Sequence, residues 1–207
     1  DARAETIGHG YRVRDGISIG TNRVHAILQE YEHVTENPNK QGRKRPWVRF
    51  ERKYSLVTVH LDWFHNSREQ WCLAVEDDAS RKVLGMIETD ARAADRSVDL
   101  LDEVRREHET DVPIIEVIND HGSAFINTRQ DDRPCLDHTF EGYLAENEIM
   151  HTLCTVGRPQ SNGKIERFSQ TDEKQRWRID GLYEFLEFYN EVRPHMSLDW
   201  DNLEPPS

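Results

Sequence analysis

Between residues 54 and 192 the chain switches repeatedly between a two-residue and a 3.6-residue hydrophobic period. That alternation admits few architectures. Tyr54–Trp63 reads as a strand by its Val, Thr and Leu content, with Val57, Val59 and Leu61 on one face and Thr58, His60 and Asp62 on the other. Glu69–Glu76 and Lys82–Glu88 read as two more strands, joined by the turn Asp77-Asp78-Ala79-Ser80. Three strands in succession predict an antiparallel meander. Asp90–His108 follows as a helix with a stripe of Ala94, Val98, Leu101 and Val104. Pro113–Asn119 has the unbroken apolar character of a strand buried on both faces. Thr139–Asn147 is expected as a helix, Ile149–Thr155 as a fifth strand, and Lys164–Arg178 and Leu182–Val192 as helices. Residues 127–138 and 157–163 read as loops. The expectation is an α/β domain over 54–207.

Two segments precede it. In residues 1–35, Asp15-Gly16 marks a turn and Ser18 is placed to cap a helix. Val24, Ile27, Leu28 and Tyr31 sit at helical spacing, with Asn22, Arg23 and His25 opposite. A turn and a short amphipathic helix make half of a helix-turn-helix, so this reads as the C-terminal remnant of a DNA-binding module. Residues 36–53 read as a basic linker. Asn37-Pro38-Asn39 breaks regular structure, and from residue 40 to 53 the seven cations Lys40, Arg43, Lys44, Arg45, Arg49, Arg52 and Lys53 stand against the single acid Glu51. Phosphate contact is the natural use of such a run.

Charge at first argues the other way. The 207 residues carry 27 Lys plus Arg and 39 Asp plus Glu, for a net −12. The imbalance is local: residues 1–54 hold 11 basic and 7 acidic groups, net +4, whereas 55–207 hold 16 and 32, net −16. Of the cations, 21 are Arg and 6 are Lys. Many acids with few lysines suit a protein working in high salt, where screening weakens self-repulsion. Cys72, Cys135 and Cys154 form no C-x-x-C, which fits a reducing cytoplasm rather than a disulfide framework or zinc ribbon. Neither a membrane-spanning apolar run nor a leader is present in the sequence, and the chain opens on Asp1, as a fragment or processed chain would.

Three acids stand at element ends: Asp62 at the close of the first strand, Asp120 directly after the fourth, and Glu166 in the first turn of a helix. Sites in open α/β sheets lie just beyond strand carboxyl ends. Converging carboxylates repel unless a cation sits between them, and hard oxygen ligands suit Mg2+ or Mn2+. Two such ions about 3.5–4 Å apart serve an attacking and a leaving oxygen. Any one of these acids taken alone reads as an ordinary solvent-facing carboxylate.

Their contexts sharpen the reading. Val59-His60-Leu61-Asp62-Trp63-Phe64, Asp78-Ala79-Ser80-Arg81 and Asn119-Asp120-His121-Gly122-Ser123-Ala124-Phe125 occur in that order. They are followed by Gly157-Arg158-Pro159-Gln160-Ser161-Asn162-Gly163-Lys164-Ile165-Glu166-Arg167-Phe168, then Tyr189-Asn190 and Arg193-Pro194-His195. Together these stretches resemble the catalytic core of DDE transposases and retroviral-type integrases, insertion-sequence transposases of bacteria and archaea above all. The fourth is similar to the P-x-x-N-G-x-x-E-R segment that carries the last catalytic acid. The resemblance implies an RNase H-like fold, a five-stranded mixed sheet flanked by helices. It implies catalytic Asp62, Asp120 and Glu166 holding two Mg2+ or Mn2+ ions, and cleavage at element ends followed by joining to target DNA. DNA contact is expected from Arg23, Lys40, Arg43, Lys44, Arg45, Arg49, Asn162, Lys164 and Arg167. A homo-oligomer on DNA follows by analogy, in the cytoplasm and with no membrane.

The sequence also departs from that family. Asp120 and Glu166 are separated by 45 residues, more than the resembled cores commonly have, and the excess falls in the polar 127–138 stretch. Asn119 stands where Ser or Thr is frequent. Two alternatives stay open: an RNase H-like nuclease that cuts without joining, and a catalytically inert DNA-binding remnant. Trp63, Phe64 and Trp177 read as core residues, and His121 as a loop histidine beside Asp120.

Overall fold

The computed structural model describes residues 2–31, 52–66, 68–108, 112–127, 138–154, 162–195, 198 and 205–206. It resolves into two compact units, residues 1–50 with 194–204, and residues 51–193 with 205–207.

In the first unit, α1 (Ala2–Asp15) and α2 (Thr21–Glu30) pack on each other. The turn between them is the expected one, and α1 before it is a helix that the polar sequence hid. Gly16 ends α1 at φ 66°, a conformation open to glycine without a Cβ clash, while Ile17 N–H reaches back to Tyr11 O at 3.2 Å. The residue capping α2 is Gly20, not Ser18, because the chain stays extended up to that point. Val24 is buried against α1, where a Cβ on Gly8 would stand 3.6 Å from its Cγ2. Ile27 and Tyr31, expected on the same buried stripe, are exposed.

The second unit is built on a five-stranded sheet in the order β3-β2-β1-β4-β5. Its strands are β1 (Thr58–His65), β2 (Trp71–Asp77), β3 (Val83–Thr89), β4 (Glu116–Asn119) and β5 (Met150–Leu153). The meander β1–β2–β3 is antiparallel, and β4 and β5 add in parallel to β1. This is the expected mixed sheet with strand ends shifted by a few residues; β1 pairs with β2 as far as His65, so Asp62 lies within the strand and does not close it as expected.

Helices cover both faces. On one side α3 (Ala94–His108) and α4 (Thr139–Glu146) close a core of Val59, Leu61, Leu73, Val75, Leu101, Val104, Phe125 and Phe140 among others. Trp63 belongs to it and donates its indole N–H to Ser97 Oγ at 3.0 Å, which is how a serine comes to be fully buried on α3. On the other side α5 (Ile165–Gln175), a 3-10 turn (Arg176–Arg178), α6 (Leu182–Glu187) and a π-helical turn (Phe188–Val192) pack Ile165, Phe168, Phe185 and Tyr189 over Cys72, Ala74, Val83 and Met86. Phe64 meets Phe168 edge-on at 6.0 Å, as a core residue should. Trp177, read as core, is instead exposed, because the 3-10 turn swings its ring away from the sheet, with its indole N–H on Lys174 O and the Arg178 guanidinium over it.

Asn190 ends the open edge of the sheet. Its amide accepts from Val83 N–H and donates to Val83 O, both at 2.9 Å, imitating one residue of a neighbouring strand.

Gly85 lets α3 lie against β3. A Cβ there would stand 2.7 Å from Val104 Cγ2 and 3.1 Å from Leu100 Cδ1. Gly85→Ala is expected to destabilise this unit by about 1–3 kcal/mol, the usual cost of overpacking. Urea titration with an unchanged m-value checks it.

Candidate active site

β1 and β4 run in parallel with His60 opposite Ile118. Two residues further on stand Asp62, still within β1, and Asp120, directly after β4, so the register brings the two acids to neighbouring positions where β4 ends. Thr58, His60 and Asp62 share the face of β1 away from the Val59–Leu61–Trp63 core, as the alternation requires. Asp62 is buried. Asp120 is exposed, and its Oδ1 accepts Gly122 N–H at 2.8 Å. A Cβ on Gly122 would come within 2.8 Å of that same oxygen, so the glycine is what lets the carboxylate fold back onto the turn.

Glu166 is half-buried in the first turn of α5. Its N–H bonds Asn162 O at 3.1 Å, and the buried Asn162 side chain donates to Asp62. One residue thus ties the strand acid to the helix acid. Asn162, expected to touch DNA, is occupied inward, and its Oδ1 has no partner among the described residues.

The three acids feel one another. Burial pushes Asp62 up to about 7, and the charges of Asp120 and Glu166 push in the same direction, against the donated bonds from Asn162 and the Trp63 backbone. Among the described residues, no three His, Cys, Asp or Glu side chains are gathered closely enough to form a metal ion's ligand set. The donor chemistry nevertheless suits a hard divalent cation: three carboxylates, one of them buried and destabilised by its neighbours' charge.

Beneath this lies a polar layer that the sequence reading passed over. Asp78, in the β2–β3 turn, takes His60 Nε2 on Oδ1 at 2.6 Å, Lys164 Nζ on the same oxygen at 2.6 Å, and Arg52 N–H on Oδ2 at 3.0 Å. These partners hold its carboxyl far below the usual range despite burial. Arg81 adds a guanidinium bond to Asp78 O from a left-handed backbone, φ 69°. Asp77 braces the same turn, accepting Leu56 N–H, Ser80 N–H and Ser80 Oγ–H. Glu116 on β4 is met by Arg52, Thr58 and Thr152. Glu76 is fully buried with neither oxygen bonded among the described residues, and burial pushes it up to about 8. The period-2 face carrying Thr58 and His60 was the available signal for this layer.

The remaining expected DNA contacts divide clearly. Arg23 is exposed on α2, and Arg167 is exposed on α5. Lys40, Arg43, Lys44, Arg45 and Arg49 lie outside the described residues, as does most of the 127–138 stretch. Lys164 is a correction: its ammonium is turned in to Asp78 and is only 16% exposed, because a buried carboxylate beside it offers a stronger partner than water. His121 is exposed in the loop after Asp120. Asn119 is buried, donating to Asp120 O and accepting from His151 Nε2 at 2.7 Å, which accounts for an amide in place of a hydroxyl.

A five-stranded mixed sheet of this order, with one acid inside the first strand and another directly after the fourth, is the RNase H-like fold of integrase catalytic cores. The chain is similar to the catalytic core domain of BIV integrase, with TM-score 0.54 and 15% identity over 73% of this chain and 91% of that one. It is also similar to a chain of the simian T-cell lymphotropic virus intasome in complex with PP2A regulatory subunit B56 gamma, with TM-score 0.60 and 14% identity over 91% of this chain and 66% of that one. In sequence it is 31% identical over 138 residues to the "Putative integrase ORF3" of Spiroplasma virus SpV1-C74, matching 60% of this chain. The chain spans 38% of that relative's length. No family model matches.

Proposed function

We propose that this chain is the catalytic core of a DDE-type polynucleotidyl transferase, a transposase or integrase that cuts DNA at the ends of a mobile element and joins those ends to target DNA. The observation that carries the reading is the placement of three acids in an integrase-type fold, Asp62 on β1, Asp120 directly after the adjacent parallel strand β4, and Glu166 in the first turn of α5. Asp62, Asp120 and Glu166 would hold two Mg2+ or Mn2+ ions, whose chemistry is to lower the cost of charge on the attacking and leaving oxygens. The protein's own share is positioning. Asn162 orients Asp62, Gly122 N–H fixes the rotamer of Asp120, and the α5 turn presents Glu166. Arg167 on the solvent side of that turn is placed for a backbone phosphate. Arg23 and the basic stretch from Lys40 to Arg49 would supply further phosphate contacts.

The assembly is proposed to be a homo-oligomer on DNA in the cytoplasm. Among the described residues, no helix is long and apolar enough to cross a membrane.

A strand-transfer assay with pre-cut element ends tests the function. Joined products in Mg2+ or Mn2+ are expected. Cutting without joining would replace this reading with a nuclease, and DNA binding with neither would make the chain an inert remnant.

The acidic surface leads to a separate expectation. With net −12 and few lysines, fold and joining should persist in about 1 M salt, where self-repulsion is screened and counterion release drives DNA binding only weakly. Circular dichroism and joining assays across a KCl series check this. Unfolding or loss of joining on moving to high salt would refute the halophilic reading.

A further inference from the structure

Lys164 lies midway between Asn162, which holds Asp62, and Glu166. His60 lies two residues before Asp62 on the same face of β1. Both side chains end on one oxygen, Asp78 Oδ1, each at 2.6 Å, and Lys164 Nζ also bonds Asp78 O at 3.2 Å. Asp78 is itself fixed from outside the pair by Arg52 N–H. The β2–β3 turn therefore grips β1 and the start of α5 at points two residues from each of two acids.

We propose that Asp78 and Lys164 are positioning residues: the ion pair sets the start of α5 against β1 and so fixes where Glu166 stands relative to Asp62. The inference rests on the metal-site reading of those acids. A force of this kind is needed because carboxylates on separate elements push each other apart. Ile165 and Phe168 anchor the apolar side of the first turn of α5 to the sheet, and the Asp78–Lys164 pair adds a directional polar contact just before it. Burying an ammonium is costly without a partner, so the inward Lys164 marks a made contact rather than a surface charge.

Lys164→Met removes the ammonium and keeps the stem, and Lys164→Arg restores a cation. Partners of metal-holding groups are typically worth about 10–100-fold in metal affinity or activity. Lys164→Met is therefore expected to weaken Mn2+ binding, read by electron paramagnetic resonance without DNA, by at least about 10-fold. It should lower kcat for pre-cut end joining similarly and leave the KM for DNA within about 2-fold. Lys164→Arg should recover most of both. Should Lys164→Met fail to fold by circular dichroism, Lys164→Gln, which removes the charge and keeps a polar end on the stem, carries the same comparison. A raised KM with unchanged Mn2+ affinity would overturn the proposal and make Lys164 a DNA contact, and so would a variant that matches wild type throughout. Wild type that binds no Mn2+ would overturn the metal-site reading itself, a result distinct from either.

Discussion

Asp120→Asn should lose about 10³-fold or more of metal-dependent DNA cleavage and joining while the protein stays folded. The side chain is exposed and its one described bond is from Gly122 N–H to Oδ1, which an asparagine oxygen also accepts. Little packing is disturbed, so the circular dichroism spectrum and thermal midpoint should match wild type within experimental scatter. What disappears is one anionic ligand of the proposed centre. Lewis-acid stabilisation of the kind such a centre supplies amounts to several kcal/mol, and about 4 kcal/mol is about 10³-fold in rate. Gel analysis of end cleavage and of joining, run at matched protein concentration, separates this outcome from a folding defect.

Asp62→Asn should raise stability where Asp120→Asn leaves it unchanged. Without divalent cations, burial and the charges of Asp120 and Glu166 raise the Asp62 carboxyl from 3.8 to about 7. The native state therefore keeps a proton that the unfolded chain releases above pH 4. Stability from this group is fully present below about pH 4 and falls as pH rises towards about 7. The difference corresponds to at most about 4 kcal/mol, and water penetration at the sheet edge will reduce it. Asp62→Asn should thus gain about 2 kcal/mol over wild type at pH 8 in chelator, visible as a higher thermal midpoint, and gain nothing at pH 4. Mg2+ should stabilise wild type at pH 8 and leave the variant unmoved, because binding only the native form raises its stability. A variant less stable than wild type at pH 8 in chelator would show that Asp62 is compensated by something other than a cation.

The parts of the fold that were legible in sequence are those set by local periodicity. Val59, Leu61 and Trp63 alternate with Thr58, His60 and Asp62, and the structure keeps both faces. The stretch 113–119 supplied β4, parallel to β1, and Asp120 followed it as expected. What escaped was fixed by partners far away in the chain. Lys164 looks like a helix-surface cation until Asp78, 86 residues earlier, is brought under it. Asn190 reads as part of a helix, and only the free edge at Val83 shows why an amide stands there. Ser97 gave no hint of full burial because its reason is the Trp63 indole on another element. Helix α1 was hidden because its residues carry almost no apolar stripe, and its packing on α2 is a tertiary contact that local periodicity does not show. The three acids were singled out as a set by their motif contexts. Their electrostatic coupling was not, since it depends on the β1–β4 register and the seating of α5.

The central claim is that Asp62, Asp120 and Glu166 make one cation-binding centre. Calorimetric titration of Mn2+ into the metal-free protein at pH 8 tests it most directly. Saturable binding is expected in wild type, with loss in each of Asp62→Asn, Asp120→Asn and Glu166→Gln. An absence of binding, or binding that survives all three substitutions, would contradict it.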